Sequence, residues 1–118
     1  MVPREGTYSD FDFKSALEVA GGDRKLLNEL ADIFLEEYPQ LLFDLRIAVL
    51  RRDGNALEAN AHKLKGSVSS FGARTAAESA ARLEKLGHSR NLKGVDEALR
   101  QFEVSLDYFL AELKLFRA

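Results

Sequence analysis

The fold class follows from residues 92–116, which read LKGVDEALRQFEVSLDYFLAELKLF. Large apolar side chains recur every three or four residues in this stretch, at Leu92, Val95, Leu99, Phe102, Leu106, Phe109, Leu113 and Phe116. That spacing places them along one side of an α-helix. A seam of this length is typical of a helix packed in a bundle, where neighbouring helices cross at about 20°. The stretch therefore predicts a long C-terminal bundle helix.

The rest of the chain has the same period, and its helix-breaking residues predict five more helices. Glycines at 21, 22, 72 and 87 are typical of helix ends. Pro39 disfavours helix in the residue before it and suits a first turn, while Asn55 and Glu58 form a capping-box pattern. We expect helices over about 11–20, 23–38, 39–49, 55–71 and 73–86.

These helices predict an all-α fold. Connections of a few residues make successive helices antiparallel neighbours. We therefore expect the last four to form an up-down antiparallel four-helix bundle, with one or two short N-terminal capping helices. Residues 10–118 are expected to form this domain, and residues 1–9 a flexible N-terminal segment or linker. Because the bundle uses the apolar seams, we expect a monomer.

The composition excludes several classes of protein. A chain of 118 residues is long enough for one domain. Its net charge is -2, whereas a dedicated nucleic-acid-binding domain is usually strongly basic. It has no cysteine for a disulfide, a thiolate metal site or a nucleophile, and no apolar run near the ~20 residues of a membrane span. We expect a cytoplasmic protein with no nucleic-acid partner, direct membrane contact, metal or cofactor.

His62 departs from the pattern of the fourth predicted helix. The core stripe of that helix is Leu57, Ala61, Leu64, Val68 and Phe71. His62 directly follows a stripe residue, so it is rotated by about 100° from the stripe onto a polar face. We therefore expect its imidazole to be exposed.

Two neighbours of His62 predict a use for that exposure. Helical side chains lean toward the N-terminus, so the residue four positions later normally covers the earlier one. Here that residue is Gly66, which costs about 1 kcal/mol of helix stability relative to alanine and leaves the imidazole uncovered. Lys65, three positions after His62, places a positive charge beside it.

An uncovered imidazole is a competent nucleophile, and a nearby ammonium group stabilises the charge of a phosphoryl group. A convex helix also lets another protein approach in line with the reacting nitrogen. The sequence shows no paired acid for His62, no oxyanion loop, no glycine-rich phosphate cradle and no carboxylate cluster for Mg²⁺. We therefore expect a site that holds a phosphoryl group without generating one from ATP.

The local sequence resembles that of the histidine-containing phosphotransfer (HPt) domain family. Residues 61–67, AHKLKGS, followed by FGA at 71–73, carry the resemblance. IFLEE at 33–37 and RRD at 51–53 are also similar to that family. The resemblance covers the chain from about residue 26 to residue 116.

The resemblance implies a role for each residue of the motif. His62 would accept a phosphoryl group on Nε2 from a receiver-domain aspartate and pass it to another receiver domain. Lys65 and Gly66 match the lysine and glycine of the family motif. The implied partners are receiver domains of response regulators and of hybrid sensor histidine kinases. The chain would have no kinase activity, and it would be free-standing or the cytoplasmic part of a membrane-bound hybrid kinase.

Four further residues are candidates for a surface on which such a partner docks. Ala59, Lys63 and Ser69 share the helix of His62, and Phe34 is a candidate either for this surface or for the core. His88 follows Gly87 in a predicted loop and is expected to be a plain surface residue or a helix-terminal charge.

Three other functions remain open at this point. The chain would be a non-catalytic helical scaffold if His62 were inert. It would be an enzyme if His62 acted as a general base with Glu58, one turn away, as the orienting acid. A dimeric histidine kinase bundle is the third reading, although the chain contains no nucleotide-binding domain.

Overall fold

A computed structural model describes residues 11–118, and all the regular structure in this range is helical. The five helices are α1 (Phe13–Val19), α2 (Arg24–Leu50), α3 (Gly54–Ser69), α4 (Arg74–Ser89) and α5 (Val95–Arg117). The predicted all-α class is confirmed. The segment predicted at residues 1–9 lies outside the described residues. In the described range, no helix has the length and apolar character needed to span a bilayer.

The four long helices surround one core. α3 packs against α2 and α4, and α5 packs against α4 and α2, so each has two long neighbours. The predicted α3 stripe is buried throughout, at Leu57, Ala61, Leu64, Val68 and Phe71. The α5 seam supplies five buried residues, while Leu92, Leu99 and Phe116 are partly buried against the same core. α1 contacts α2, and the Asp12 amide donates to the Phe71 carbonyl at 3.1 Å, beside the α3–α4 turn.

The prediction that one helix ends before Pro39 and another begins there is wrong, because α2 continues through this residue without interruption. A proline inside a helix removes one hydrogen bond and crowds the preceding turn, at a cost of about 3 kcal/mol. Phe34 before the proline and Leu45 after it are both buried in the same core. Burying one such side chain contributes about 1.5–3 kcal/mol. Packing on both sides therefore offsets the cost, and the predicted second and third helices are one.

The expected helix end at Gly87 is also wrong. α4 continues to Ser89, so His88 lies in its last turn rather than in a loop. A β-carbon on Gly87 would lie only 2.6 Å from the amide nitrogen of Glu58 and 2.7 Å from the carbonyl oxygen of Gly54. The glycine therefore permits a close approach of α3 and α4, and the helix ends at Arg90 in a left-handed conformation.

α3 begins earlier than the capping-box pattern predicts. Its N-cap is Asp53, whose carboxylate accepts a hydrogen bond from the Ala56 amide at 3.1 Å. This bond satisfies an amide that has no partner within the helix. Asn55 is thus a helical residue, and Glu58 is free to interact with α4.

Candidate functional site

His62 stands on the outer face of α3, next to the fully buried Ala61. Its side chain is 68% exposed, and its Nδ1 lies 2.8 Å from Oε2 of Glu84 on α4. An ionised carboxylate can only accept a hydrogen bond, so Nδ1 carries the ring proton and donates it. In a neutral imidazole with this tautomer, Nε2 keeps its lone pair. The contact with Glu84 therefore leaves Nε2 as the ring nitrogen with a free lone pair.

Glu84 joins His62 to Lys65. Its Oε1 lies 2.6 Å from the Lys65 Nζ, while its Oε2 takes the imidazole. The hydrogen bond from Lys65, and to a smaller extent that from His62, lowers the pKa of the Glu84 carboxyl against the opposing effect of desolvation. The carboxylate is therefore held in the ionised form that the tautomer of His62 requires.

The expectation that His62 has no paired acid is wrong, and Glu84 is the residue that sequence reasoning missed. A signal for it existed in the register of the α3–α4 hairpin. His62 and Glu84 lie at similar distances along the sequence from the turn at Gly72, and antiparallel neighbours place such residues opposite each other. The two helices also approach closely enough for side chains to meet across them, because Gly87 has no side chain.

Glu58 does not pair with His62, although it is the acid one turn away on the same helix. Its Oε2 lies 2.9 Å from Nδ1 of His88, and its Oε1 lies 3.8 Å from Nη1 of Arg90. Two reciprocal pairs thus connect α3 and α4, since a histidine on each helix contacts a glutamate on the other. A general-base role for His62 with Glu58 finds no support in this arrangement.

Gly66 faces open space. A β-carbon built on it would have no neighbouring heavy atom within 4 Å, so close helix packing is not the reason for a glycine here. Only a larger side chain would reach toward the imidazole, one turn earlier in the helix.

The four candidate docking residues do not all lie on the surface. Ala59 and Lys63 are exposed and line a shallow depression together with His62 and Glu84. Ser69 is exposed two turns along α3.

Phe34 is 4% exposed, and its ring packs 5.8–5.9 Å from those of Tyr38, Phe71 and Phe109. The structure therefore places most of Phe34 in the aromatic core, although the residue also lines a shallow groove between α2 and α3. The neighbouring Ile33 is 51% exposed.

A family model described as "Hpt domain" matches residues 29–114. The chain belongs to the Hpt domain family. This Hpt domain is a histidine phosphotransfer module of a phosphorelay. Modules of this class carry phosphoryl groups and work with receiver domains. The family expected from the motif around His62 is confirmed.

The fold of this Hpt domain is similar to that of a solved relative. The crystal structure of histidine-containing phosphotransfer protein B (HptB) from Pseudomonas aeruginosa PAO1 matches it with a TM-score of 0.83 and 23% sequence identity. The match covers 92% of this chain and 94% of that one. A search of the curated proteins gave no match. Among residues 11–118, no group of three or more histidine, cysteine or acidic side chains is arranged to hold a metal ion.

Proposed function

We propose that His62 is the phosphoacceptor of this Hpt domain. The observation that carries the proposal is the 2.8 Å contact between its Nδ1 and the Glu84 carboxylate on an imidazole that is mostly exposed. This contact fixes the tautomer and leaves Nε2 as the reactive atom. His62 takes the phosphoryl group from an aspartyl phosphate of one receiver domain and gives it to an aspartate of another.

The transfer needs no base to prepare the nucleophile, because Nε2 already has its lone pair. Nε2 attacks phosphorus, the new N–P bond forms, and the P–O bond to the aspartate breaks on the opposite side. The aspartate carboxylate leaves with the bonding electrons. Positive charge develops on the ring, and the Glu84 carboxylate stabilises it through the Nδ1 proton.

Lys65 is proposed to stabilise the negative charge of the phosphoryl group. Its ammonium group is held at 2.6 Å from Glu84, on the α4 side of His62. It also keeps Glu84 ionised. Lys65 therefore helps to orient the imidazole through Glu84, and it stabilises the negative charge of the phosphoryl group on that ring.

The docking surface is proposed to comprise Ala59, Lys63 and Ser69 on α3, with the exposed Ile33 and the groove-lining part of Phe34 on α2. A groove lies between the two helices, and its lining residues are Leu30, Ile33, Phe34, Glu37, Ser67, Ser70 and Phe71. An apolar residue flanked by small and polar ones suits a contact that forms and dissociates during relay.

Several finer properties belong to the same proposal. The four long helices run up-down and antiparallel, α1 is the capping helix, and residues 10–118 form the domain. The domain is a cytoplasmic monomer without kinase activity, nucleic-acid partner or direct membrane contact. Its partners are receiver domains of response regulators and hybrid sensor histidine kinases. The short connections between the helices support the topology, and the burial of the apolar seams supports the monomer.

Phosphotransfer from a panel of phosphorylated receiver domains tests the proposal. We expect an acid-labile phosphoryl group on the chain, and no labelling of His62→Gln with unchanged helicity by circular dichroism. His88→Gln is the matched control and is expected still to become labelled. Labelling of the His62 variant to the wild-type level would refute the assignment, and failure of every receiver to label the wild type would favour an inert scaffold.

A further inference from the structure

Arg90, which follows α4, has a backbone conformation that normally favours glycine. Its φ is 62°, in the left-handed region that L-residues with side chains rarely adopt. Strained residues of this kind persist where the surrounding structure holds them, often near functional sites. The contacts of the Arg90 guanidinium group stabilise this backbone conformation.

The guanidinium reaches from the end of α4 to the first turns of α3. Its Nη1 donates to the Gly87 carbonyl at 2.5 Å and lies 3.8 Å from Oε1 of Glu58, and its Nη2 donates to Oδ1 of Asn55. The other carboxylate oxygen of Glu58 accepts from His88. At the end of α4, His88 therefore hydrogen-bonds the carboxylate of Glu58, and Arg90 lies within ion-pair distance of it.

That acid lies beside the proposed phosphoryl site. Glu58 is one turn before His62 and lines the same depression as His62, Lys63 and Glu84. A phosphoryl group arriving at His62 therefore meets two carboxylates. Lys65 compensates the charge of Glu84 at 2.6 Å, and Arg90 is the permanently charged group beside Glu58.

We propose that Arg90 is a positioning residue for phosphotransfer, which acts by holding Glu58 against the end of α4 and offsetting its charge. The inference rests on the proposed role of His62. Without Arg90, the carboxylate of Glu58 repels the incoming phosphoryl group, and its position four residues before His62 lets it swing toward the imidazole. An unscreened charge several ångströms away at a protein surface slows the reaction by roughly three- to tenfold.

Arg52 provides a matched control. It also has a left-handed backbone, with φ 54°, and its guanidinium donates to the Val49 carbonyl at 2.7 Å at the end of α2. Its carboxylate partner is Asp96 at 2.8 Å, on α5. Each of the substitutions Arg52→Gly and Arg90→Gly relieves a left-handed backbone conformation and removes a guanidinium that caps a carbonyl at a helix C-terminus. Only Arg90→Gly also removes the arginine beside Glu58.

The experiment uses phosphoramidate as a small phosphodonor, so that no receiver surface is involved. Nε2 of His62 forms the N–P bond as the P–N bond of the donor breaks and ammonia leaves. Labelling at His62 is followed by peptide mass spectrometry at low salt. We expect Arg90→Gly to be about three- to tenfold slower than the wild type, and Arg52→Gly to stay within about twofold.

Two further measurements separate charge from structure. Glu58→Gln, added to Arg90→Gly, is expected to restore the rate, and 1 M salt is expected to shrink the defect of Arg90→Gly because screening weakens the repulsion. A wild-type rate in Arg90→Gly, or a defect that neither Glu58→Gln nor salt relieves, would overturn the inference. Absence of label at His62 in the wild-type protein would instead overturn the phosphoacceptor assignment.

Discussion

Gly87 of α4 lies against the backbone of Glu58 of α3, so closely that a β-carbon at position 87 would come within 2.6 Å of the Glu58 amide nitrogen. No flexible side chain lies there to move aside. The contact sets the separation of the two helices, and both histidine–glutamate pairs cross between these helices.

Gly87→Ala is therefore expected to destabilise the domain, although alanine is the better helix former. Forcing the helices apart costs about 1–3 kcal/mol, as for other overpacked sites. Urea denaturation measures the loss. Gly66→Ala is the matched control, and we expect it to raise the free energy of unfolding by about 1 kcal/mol because its β-carbon enters open space. Equal effects of the two substitutions would show that helix separation does not depend on Gly87.

Larger side chains at position 66 are expected to slow phosphotransfer while leaving the fold intact. Gly66→Leu leans toward the imidazole of His62, whereas the methyl group of Gly66→Ala does not reach it. The rate of labelling from a phosphorylated receiver should fall in the leucine variant and stay near the wild-type value in the alanine variant. A leucine variant as fast as the wild type would mean that the glycine is not there for access.

Glu84→Gln is expected to slow labelling of His62 by roughly fivefold. The substitution keeps the shape of the side chain but replaces a charge-assisted hydrogen bond with a neutral one, a difference of about 1 kcal/mol. ¹⁵N NMR of the imidazole provides a second readout, because the population with the proton on Nδ1 should fall. An unchanged rate together with an unchanged tautomer would show that Glu84 does not orient the ring.

Acid is expected to weaken the attachment of α5 to α2. Arg117 donates to both oxygens of Asp32, at 2.7 and 2.8 Å, and this hydrogen bonding lowers the pKa of the Asp32 carboxyl from its ordinary value. A carboxyl with a lower pKa in the folded state stabilises that state above its unfolded pKa, and the contribution disappears as pH falls through the folded value. Urea unfolding between pH 7 and pH 2 should thus show a smaller loss in Asp32→Asn than in the wild type. Parallel pH curves for the two proteins would contradict this.

The parts of the structure that depend on local period were predictable from the sequence. The helical class, the buried stripe of α3 and the exposure of His62 all follow from side chains recurring every three or four residues. The errors at Pro39 and Gly87 each concern a neighbour that the local sequence does not specify. Pro39 stays helical because residues on both sides of it pack into one core, and Gly87 stays helical because α3 lies against it.

The candidate site divides in the same way. His62, Lys65 and Gly66 share one helix, and their spacing alone brings them together. Glu84 is distant in sequence and becomes visible only when the register of α3 against α4 is known. Phe34 was ambiguous because an aromatic residue on an amphipathic helix suits both a core and a docking surface, and only the rings around it decide between them.

The proton on Nδ1 bears on the direction of signalling. If the imidazole keeps this proton both when it accepts the phosphoryl group and when it gives the group up, the ring has the same protonation state in the two steps. The proposed transfer is then equally possible in both directions at His62. The net flow of phosphoryl groups follows the relative amounts of phosphorylated and unphosphorylated receiver domains. Reversal of flow would then require only a change in those populations.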